Sequence, residues 1–153
     1  MTITEQPINS EEAELLIQEL DAELYQRYPA NSVHGVNTGE FMKAGGKFFI
    51  VKIDSECVGC GALRPIDKSS VEIKRMYVRR AFRGRGISRS ILNHIETLAR
   101  ELGYSQLMVE TGDRQPEAQG LFRSNGYQQI EPFGEYVDDP HSICFEKELK
   151  NPA

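Results

Sequence analysis

Between Val71 and Leu102 the hydrophobic pattern changes its period once, and the change falls on Arg83-Gly84-Arg85-Gly86. Upstream, Val71, Ile73, Met76, Tyr77 and Val78 give the β-branched and aromatic enrichment of a strand. Downstream, Ile87, Ile91, Leu92, Ile95, Leu98, Ala99 and Leu102 recur at helical spacing. Glycine lets the backbone come close to a ligand, and a helix that starts there adds unpaired N–H groups and the positive end of its dipole. The junction reads as an anion site, suited to phosphate.

The charge pattern helps choose the anion. Lys74, Arg75, Arg79, Arg80, Arg83, Arg85 and Arg89 are seven of the 18 basic residues, and no Asp or Glu lies between Ile73 and Ile95. The remainder holds 11 basic against 23 acidic residues, a formal −12 in a chain of net −5. A basic site focused within an acidic protein suits a small polyanion such as a pyrophosphate. A duplex nucleic acid would need a broad basic face, so no nucleic-acid partner is expected.

Among phosphate loops, the Walker string Gly-x-x-x-x-Gly-Lys-Ser/Thr is absent. The dinucleotide fingerprint begins at Gly84 and Gly86 but has Arg89 in place of its third glycine. What fits is Arg/Gln-x-x-Gly-x-Gly/Ala after a bulged strand, carried here by Arg83-Gly84-Arg85-Gly86-Ile87-Ser88. In this the chain resembles the GNAT acyltransferase superfamily, although Ser88 departs from the usual Gly/Ala. Tyr77 to Ile87 is similar to the whole strand-to-helix segment of that family, and Ala118-Gln119-Gly120-Leu121-Phe122-Arg123-Ser124-Asn125-Gly126-Tyr127 to its later helix and strand entry. The blocks around Thr111 to Ala118, Pro132 to Tyr136 and Ser142 to Lys147 further resemble a subgroup of small bacterial members.

The resemblance implies a mixed α/β fold, a central and mostly antiparallel sheet with helices on both faces. It implies an acyl-CoA cosubstrate, normally acetyl-CoA, whose pyrophosphate would lie on the amides of Arg83, Gly84, Arg85, Gly86, Ile87 and Ser88. The pantetheine arm would run along Met76, Tyr77 and Val78, with Phe122 close to the thioester. Transfer to a primary amine needs a deprotonated nitrogen, a stabilised oxyanion and a proton for the leaving thiolate. Glu72 is the leading base, six residues before Val78 and expected on one strand face with Met76 and Val78; Glu110 is second. Many members carry a tyrosine as the acid where this chain has Phe122, which cannot donate a proton. Tyr127, Tyr136 and Cys144 stand as replacements. A surface carboxylate balancing the arginines, or a tyrosine packed in the sheet, is the plainer reading of each.

The rest of the chain fits one domain, residues 1–150, with a tail at 151–153. Ser10 can cap a helix to about Arg27, Lys47–Ile53 and Cys57–Arg64 make a hairpin, and strands at Gln106–Thr111 and Ser142–Leu149 flank a helix from about Gln115 to Asn125. Gly103 and Gly126 stop their helices. Ala30 to Gly46 is turn-rich and, by resemblance, holds the acceptor-side loop. There is no signal peptide or membrane-length apolar run, so a cytoplasmic protein without a membrane partner is expected. Cys57 and Cys60 lie an odd number apart on one strand and should face opposite sides, against a redox or zinc pair. His34, His94 and His141 have no metal spacing, and no metal is expected.

The function that follows is acetyl transfer from acetyl-CoA to a small-molecule primary amine. Acetylation of a protein lysine or N-terminus is the second reading, and acyl-CoA binding without transfer, as a sensor, the third. A homodimer through an apolar edge near the C-terminus is compatible with the sequence.

Overall fold

The computed structural model describes residues 1–150, so the tail expected at 151–153 lies outside the described residues. The order of elements is β1 (Thr2–Gln6), α1 (Glu11–Arg27), α2 (Thr38–Lys43), β2 (Lys47–Ile53), β3 (Glu56–Pro65), β4 (Ser70–Val78), α3 (Ile87–Glu101), β5 (Gln106–Gly112), α4 (Pro116–Ser124), β6 (Gln128–Ile130) and β7 (Ser142–Glu148). Single 3-10 turns occupy Ala30–Ser32, Arg80–Phe82 and Gly134–Tyr136. The seven strands form one sheet in the order β1-β2-β3-β4-β5-β7-β6, and every pairing is antiparallel except β4 with β5. The mixed α/β fold expected from the sequence is present.

Local chemistry explains the helix ends. Ser10 Oγ accepts the Ala13 N–H at 3.2 Å and starts α1, and Asn37 Oδ1 accepts the Glu40 N–H at 2.9 Å and starts α2. The amphipathic stripe of α3 seats Ile91, Leu92 and Ile95 against one face of the sheet with no exposed surface, each contributing about 1.5–3 kcal/mol by burial. Ile73, Val78, Val109, Phe122, Tyr127 and Phe145 share this core. A second core on the opposite face joins Leu16 of α1 and Phe41 of α2 to Phe48, Ile50 and Cys60.

Two irregularities redirect side chains. Arg75 has φ +57°, and the β3–β4 register slips so that Cys60 opposes Tyr77 while Ala62 opposes Lys74. Such a bulge resets the alternation of a strand. Glu72 and Lys74 therefore point to the face that carries Tyr136, whereas Met76 and Val78 pack with the α3 core. The expectation that Glu72 shares a face with Met76 and Val78 is corrected by this bulge. A second slip, between Val51 and Lys52 opposite Gly59 and Cys57, places both thiols toward the second core, Cys57 on Glu12 Oε2 and Cys60 on the Arg75 carbonyl. The strict alternation assumed for Cys57 and Cys60 fails for the same reason.

The functional consequence of the topology lies at the one parallel pairing. β4 and β5 pair only over Ser70–Ile73 and Gln106–Val109, and beyond these residues they part. The sheet opens into a wedge between Lys74–Val78 on one side and Glu110–Gly112 on the other.

Candidate active site in the sheet wedge

The wedge is continuous with a groove that runs to the start of α3. Arg83 leads into Gly84 at φ +81° and Gly86 at φ +78°, and a Cβ built on either glycine meets nothing within 4 Å. These are left-handed positions that L side chains adopt only at a cost, beside open space. The first bond of α3 runs from the Ser90 N–H to the Gly86 carbonyl, and no acceptor among the described residues takes the N–H groups of Gly84 through Arg89. Six consecutive donors, three in the loop and three in the first turn of α3, fit a diphosphate at the positive end of the helix. Ile87 itself is buried in the core and anchors this turn.

The basic segment is more neutral than its sequence implies. Arg79 bonds Glu19 at 2.8 Å, Arg83 bonds Glu23 at 2.7 Å, and Arg75 pairs with Asp21, all three partners lying on α1. Lys74 bonds Glu135 at 3.0 Å. Arg80, Arg85 and Arg89 have no carboxylate partner among the described residues.

Two cavities share a wall made of Leu20, Leu24, Met76, Gln115, Ala118 and Phe122. The outer one is the groove beside Tyr77, Val78, Arg83 and Ser88. The inner one, of about 110 Å³, is bounded by His34, Lys74, Arg75, Glu110, Thr111 and Tyr136. The structure thus brings Met76, Tyr77, Val78, Arg83, Ser88 and Phe122 to the groove, and Glu110 and Tyr136 to the inner cavity.

Glu110 is the carboxylate on that inner wall. Burial raises its carboxyl from 4.5 to about 7, opposed by the 2.7 Å bond from Ser142 Oγ and by the Lys74 ammonium nearby. A carboxyl poised there exchanges protons near neutral pH.

The other expected residues are placed differently. Glu72 is fully buried and does not line either cavity; its Oε1 accepts from Arg64 at 2.6 Å and its Oε2 from the Tyr136 hydroxyl at 2.6 Å. Both Glu72 oxygens are committed inside the fold, which leaves Glu110 as the expected base that lines the cavity. Tyr136 lines the cavity, but its hydroxyl proton goes to Glu72 while Lys74 Nζ donates to its oxygen at 2.7 Å. Burial and the Glu72 charge push that phenol far above its ordinary value, which weakens it as an acid. Tyr127 lies in the α3 core, where its hydroxyl donates to Glu96 at 3.2 Å, and it lines neither cavity. Cys144 is buried opposite Glu110 in the β5–β7 register, lines neither cavity, and its thiol is pushed up to about 11 by burial.

Phe122 packs edge-on against Tyr127 with ring centroids 5.5 Å apart and is 3% exposed, yet it lines both cavities. His34 and Lys74 line the inner cavity and Asp139 and Ser142 bond to its lining, an arrangement that no short-range sequence pattern signals. His34 falls within the acceptor-side stretch, where a lone histidine without metal spacing gives no further signal. Gln115 Oε1 accepts from the Tyr28 hydroxyl and the Gly112 N–H and holds the start of α4 on the shared wall. Among the described residues no group of three His, Cys, Asp or Glu side chains is arranged to hold a metal, and no helix is long and apolar enough to cross a membrane.

Known proteins share this layout. The model of the acetyltransferase (GNAT) family matches residues 10–127. An IAA acetyltransferase of Azospirillum brasilense is 38% identical over 135 residues, 88% of each chain. A candidate acyl-CoA N-acyltransferase of Klebsiella pneumoniae, with a solved structure, superposes with a TM-score of 0.81 at 29% identity over 97% of both chains. The fold also matches a GNAT family acetyltransferase of Elizabethkingia anophelis solved with acetyl-CoA bound, at a TM-score of 0.73, 20% identity and 97% coverage of both.

Proposed function

This chain belongs to the acetyltransferase (GNAT) family, and on that premise we propose that it transfers an acetyl group from acetyl-CoA to the primary amine of a small molecule. The observation that carries the reading is the junction of two cavities at the β4–β5 wedge, with unpaired amides at the outer end and Glu110 at the inner one.

The chain's own groups divide the work. The N–H groups of Gly84 through Arg89 hold the diphosphate of the donor, and the edge of β4 at Met76 and Val78 guides its arm inward. Acetyl-CoA, when bound, supplies the activated acetyl group. Glu110 takes a proton from the acceptor nitrogen as the C–N bond forms. A carboxyl near 7 can return that proton to a thiolate whose ordinary value is about 8.5, so no phenol is needed at Phe122.

The inner cavity favours a small acceptor over a polypeptide. Asp139 accepts Ser32 Oγ at 3.0 Å and bonds a His34 ring nitrogen at 2.6 Å, which joins the two loops that an open protein-binding groove would keep apart. We further read residues 1–150 as one folding unit and the cytoplasm as its location.

The test is a panel of benzylamine, 1,4-diaminobutane, glycinamide and lysine with acetyl-CoA, following free thiol. Turnover of at least one amine well above the acceptor-free rate is expected. Tight acetyl-CoA binding with no turnover on the panel would instead favour a binding-only protein.

A further inference from the structure

Acyl transfer to an ammonium strips two protons from one nitrogen. One reaches the departing sulfur and the other reaches solvent. Glu110 can carry the first, and it is then occupied, so a second acceptor at the cavity has a task to perform.

His34 meets the requirements for it. His34 lines the inner cavity, and its ring stands edge-on to Tyr136 with centroids 4.8 Å apart. One ring nitrogen is 2.6 Å from Asp139 Oδ2, and the pair is largely withdrawn from water, with side-chain exposures of 14% and 6%. Asp139 is itself fixed by Ser32 Oγ at 3.0 Å and by the His141 N–H at 2.9 Å. Burial opposes its ionisation, but the bonds from His34, His141 and Ser32 together hold its carboxyl below the usual range, so it stays an acceptor. The other ring nitrogen has no protein partner among the described residues. It is not sealed off, since no buried side-chain nitrogen or oxygen of the described residues lacks a partner. That nitrogen is open to the cavity or to solvent.

We propose that His34, oriented by Asp139, is a second proton acceptor of the acetyl transfer, taking the first proton from the acceptor ammonium before Glu110 takes the next. The step balances. An N–H bond of the ammonium breaks and an N–H bond forms on the imidazole, which carries the positive charge beside the Asp139 carboxylate. The freed amine forms the C–N bond as the C–S bond breaks. The surplus proton on nitrogen passes through Glu110 to sulfur, and His34 releases its proton to solvent. Asp139 acts through His34 and is a positioning residue. Lys74, Arg75, Glu110, Glu135 and Tyr136 are the other charged or titratable groups around this part of the cavity.

This inference rests on the acetyltransferase reading, and the test separates the two. The intact protein is incubated with bromoacetyl-CoA, whose electrophilic carbon sits beside the carbonyl. One adduct per chain is expected on the open His34 nitrogen, with a C–N bond formed and bromide expelled, located by peptide mass spectrometry. His34→Gln should bind the reagent, raising the melting temperature as the parent does, yet form no such adduct. Failure of bromoacetyl-CoA to stabilise the parent would overturn the donor site and with it the reading under it. Binding with the adduct elsewhere, or none, overturns the role of His34 alone.

Kinetics on the fastest panel amine give a second decision. His34→Gln should lose roughly 10²-fold or more in kcat with KM for acetyl-CoA unchanged. His34→Ala should recover part of its loss when imidazole is added, which a purely structural histidine would not allow. Asp139→Asn should lose kcat in the same direction by a smaller factor. Unchanged kcat in His34→Gln, or a loss that imidazole leaves untouched, overturns the proposal.

Discussion

The hydroxyl of Tyr136 donates to Oε2 of Glu72 at 2.6 Å, and the same phenolic oxygen accepts from Lys74 Nζ at 2.7 Å. With Arg64 on the other Glu72 oxygen at 2.6 Å, the carboxylate is the centre of a buried ionic cluster. Glu72→Gln leaves two cations facing a neutral amide, and removing one member of such a cluster costs about 3 kcal/mol. A lower urea midpoint is therefore expected, with kcat of the folded fraction within about threefold of the parent. A folded variant that loses catalysis instead would restore Glu72 as the base.

Glu110→Gln should do the opposite. A carboxyl held near 7 against 4.5 in the unfolded chain destabilises the ionised fold. Its cost is absent below about pH 4.5, grows as pH rises to 7, and is constant above, reaching about 3 kcal/mol by linkage. The parent should lose stability over that window relative to the glutamine variant, and urea melts at pH 5 and pH 8 read the difference. Catalysis should fall roughly 10²–10⁴-fold. The parent's kcat should climb with pH through about 7 as Glu110 ionises; a flat profile there counts against it.

Gly86→Val places a β-branched side chain at φ +78°. The turn must rearrange, and with it the N–H groups of Gly84 through Arg89. Acetyl-CoA stabilises the parent by mass action, so its thermal shift should vanish in the variant. A full shift in a folded Gly86→Val protein would remove the donor site from this loop.

Gly112→Ala tests the shared wall from behind. A Cβ there would overlap the Tyr28 hydroxyl, which donates to Gln115 at 3.3 Å and accepts the Arg114 N–H at 2.9 Å. Displacing Tyr28 frees Gln115 and the start of α4. Both a lower melting temperature and a weaker acetyl-CoA shift are expected, and calorimetry with and without donor reports them together.

Strand and helix positions were largely legible because their signals are local. The α3 stripe, the Ser10 cap and the glycines after Arg83 each act within a few residues. What sequence could not carry was parity across the bulge at Arg75, a single backbone conformation that sends Glu72 and Met76 to opposite faces. Glu110 and Glu72 looked alike as carboxylates on neighbouring strands. Only the place where β4 and β5 part makes one line a cavity and the other fill a core. His34 and Asp139 are 105 residues apart, and no short-range pattern joins them.

Helix α1 has a further effect on how the donor is met. With Glu19, Asp21 and Glu23 set against Arg79, Arg75 and Arg83, the groove arrives already loaded with its own counter-ions. A phosphate that takes Arg83 exchanges one internal anion for another rather than shedding bulk salt, and the displaced Glu23 still keeps Arg27 at 3.2 Å, one turn along the helix. Donor affinity should then vary only gently with ionic strength, less than seven clustered cations would dictate. The acidic helix tempers the site's attraction for stray polyanions, leaving the geometry of the loop to decide what stays.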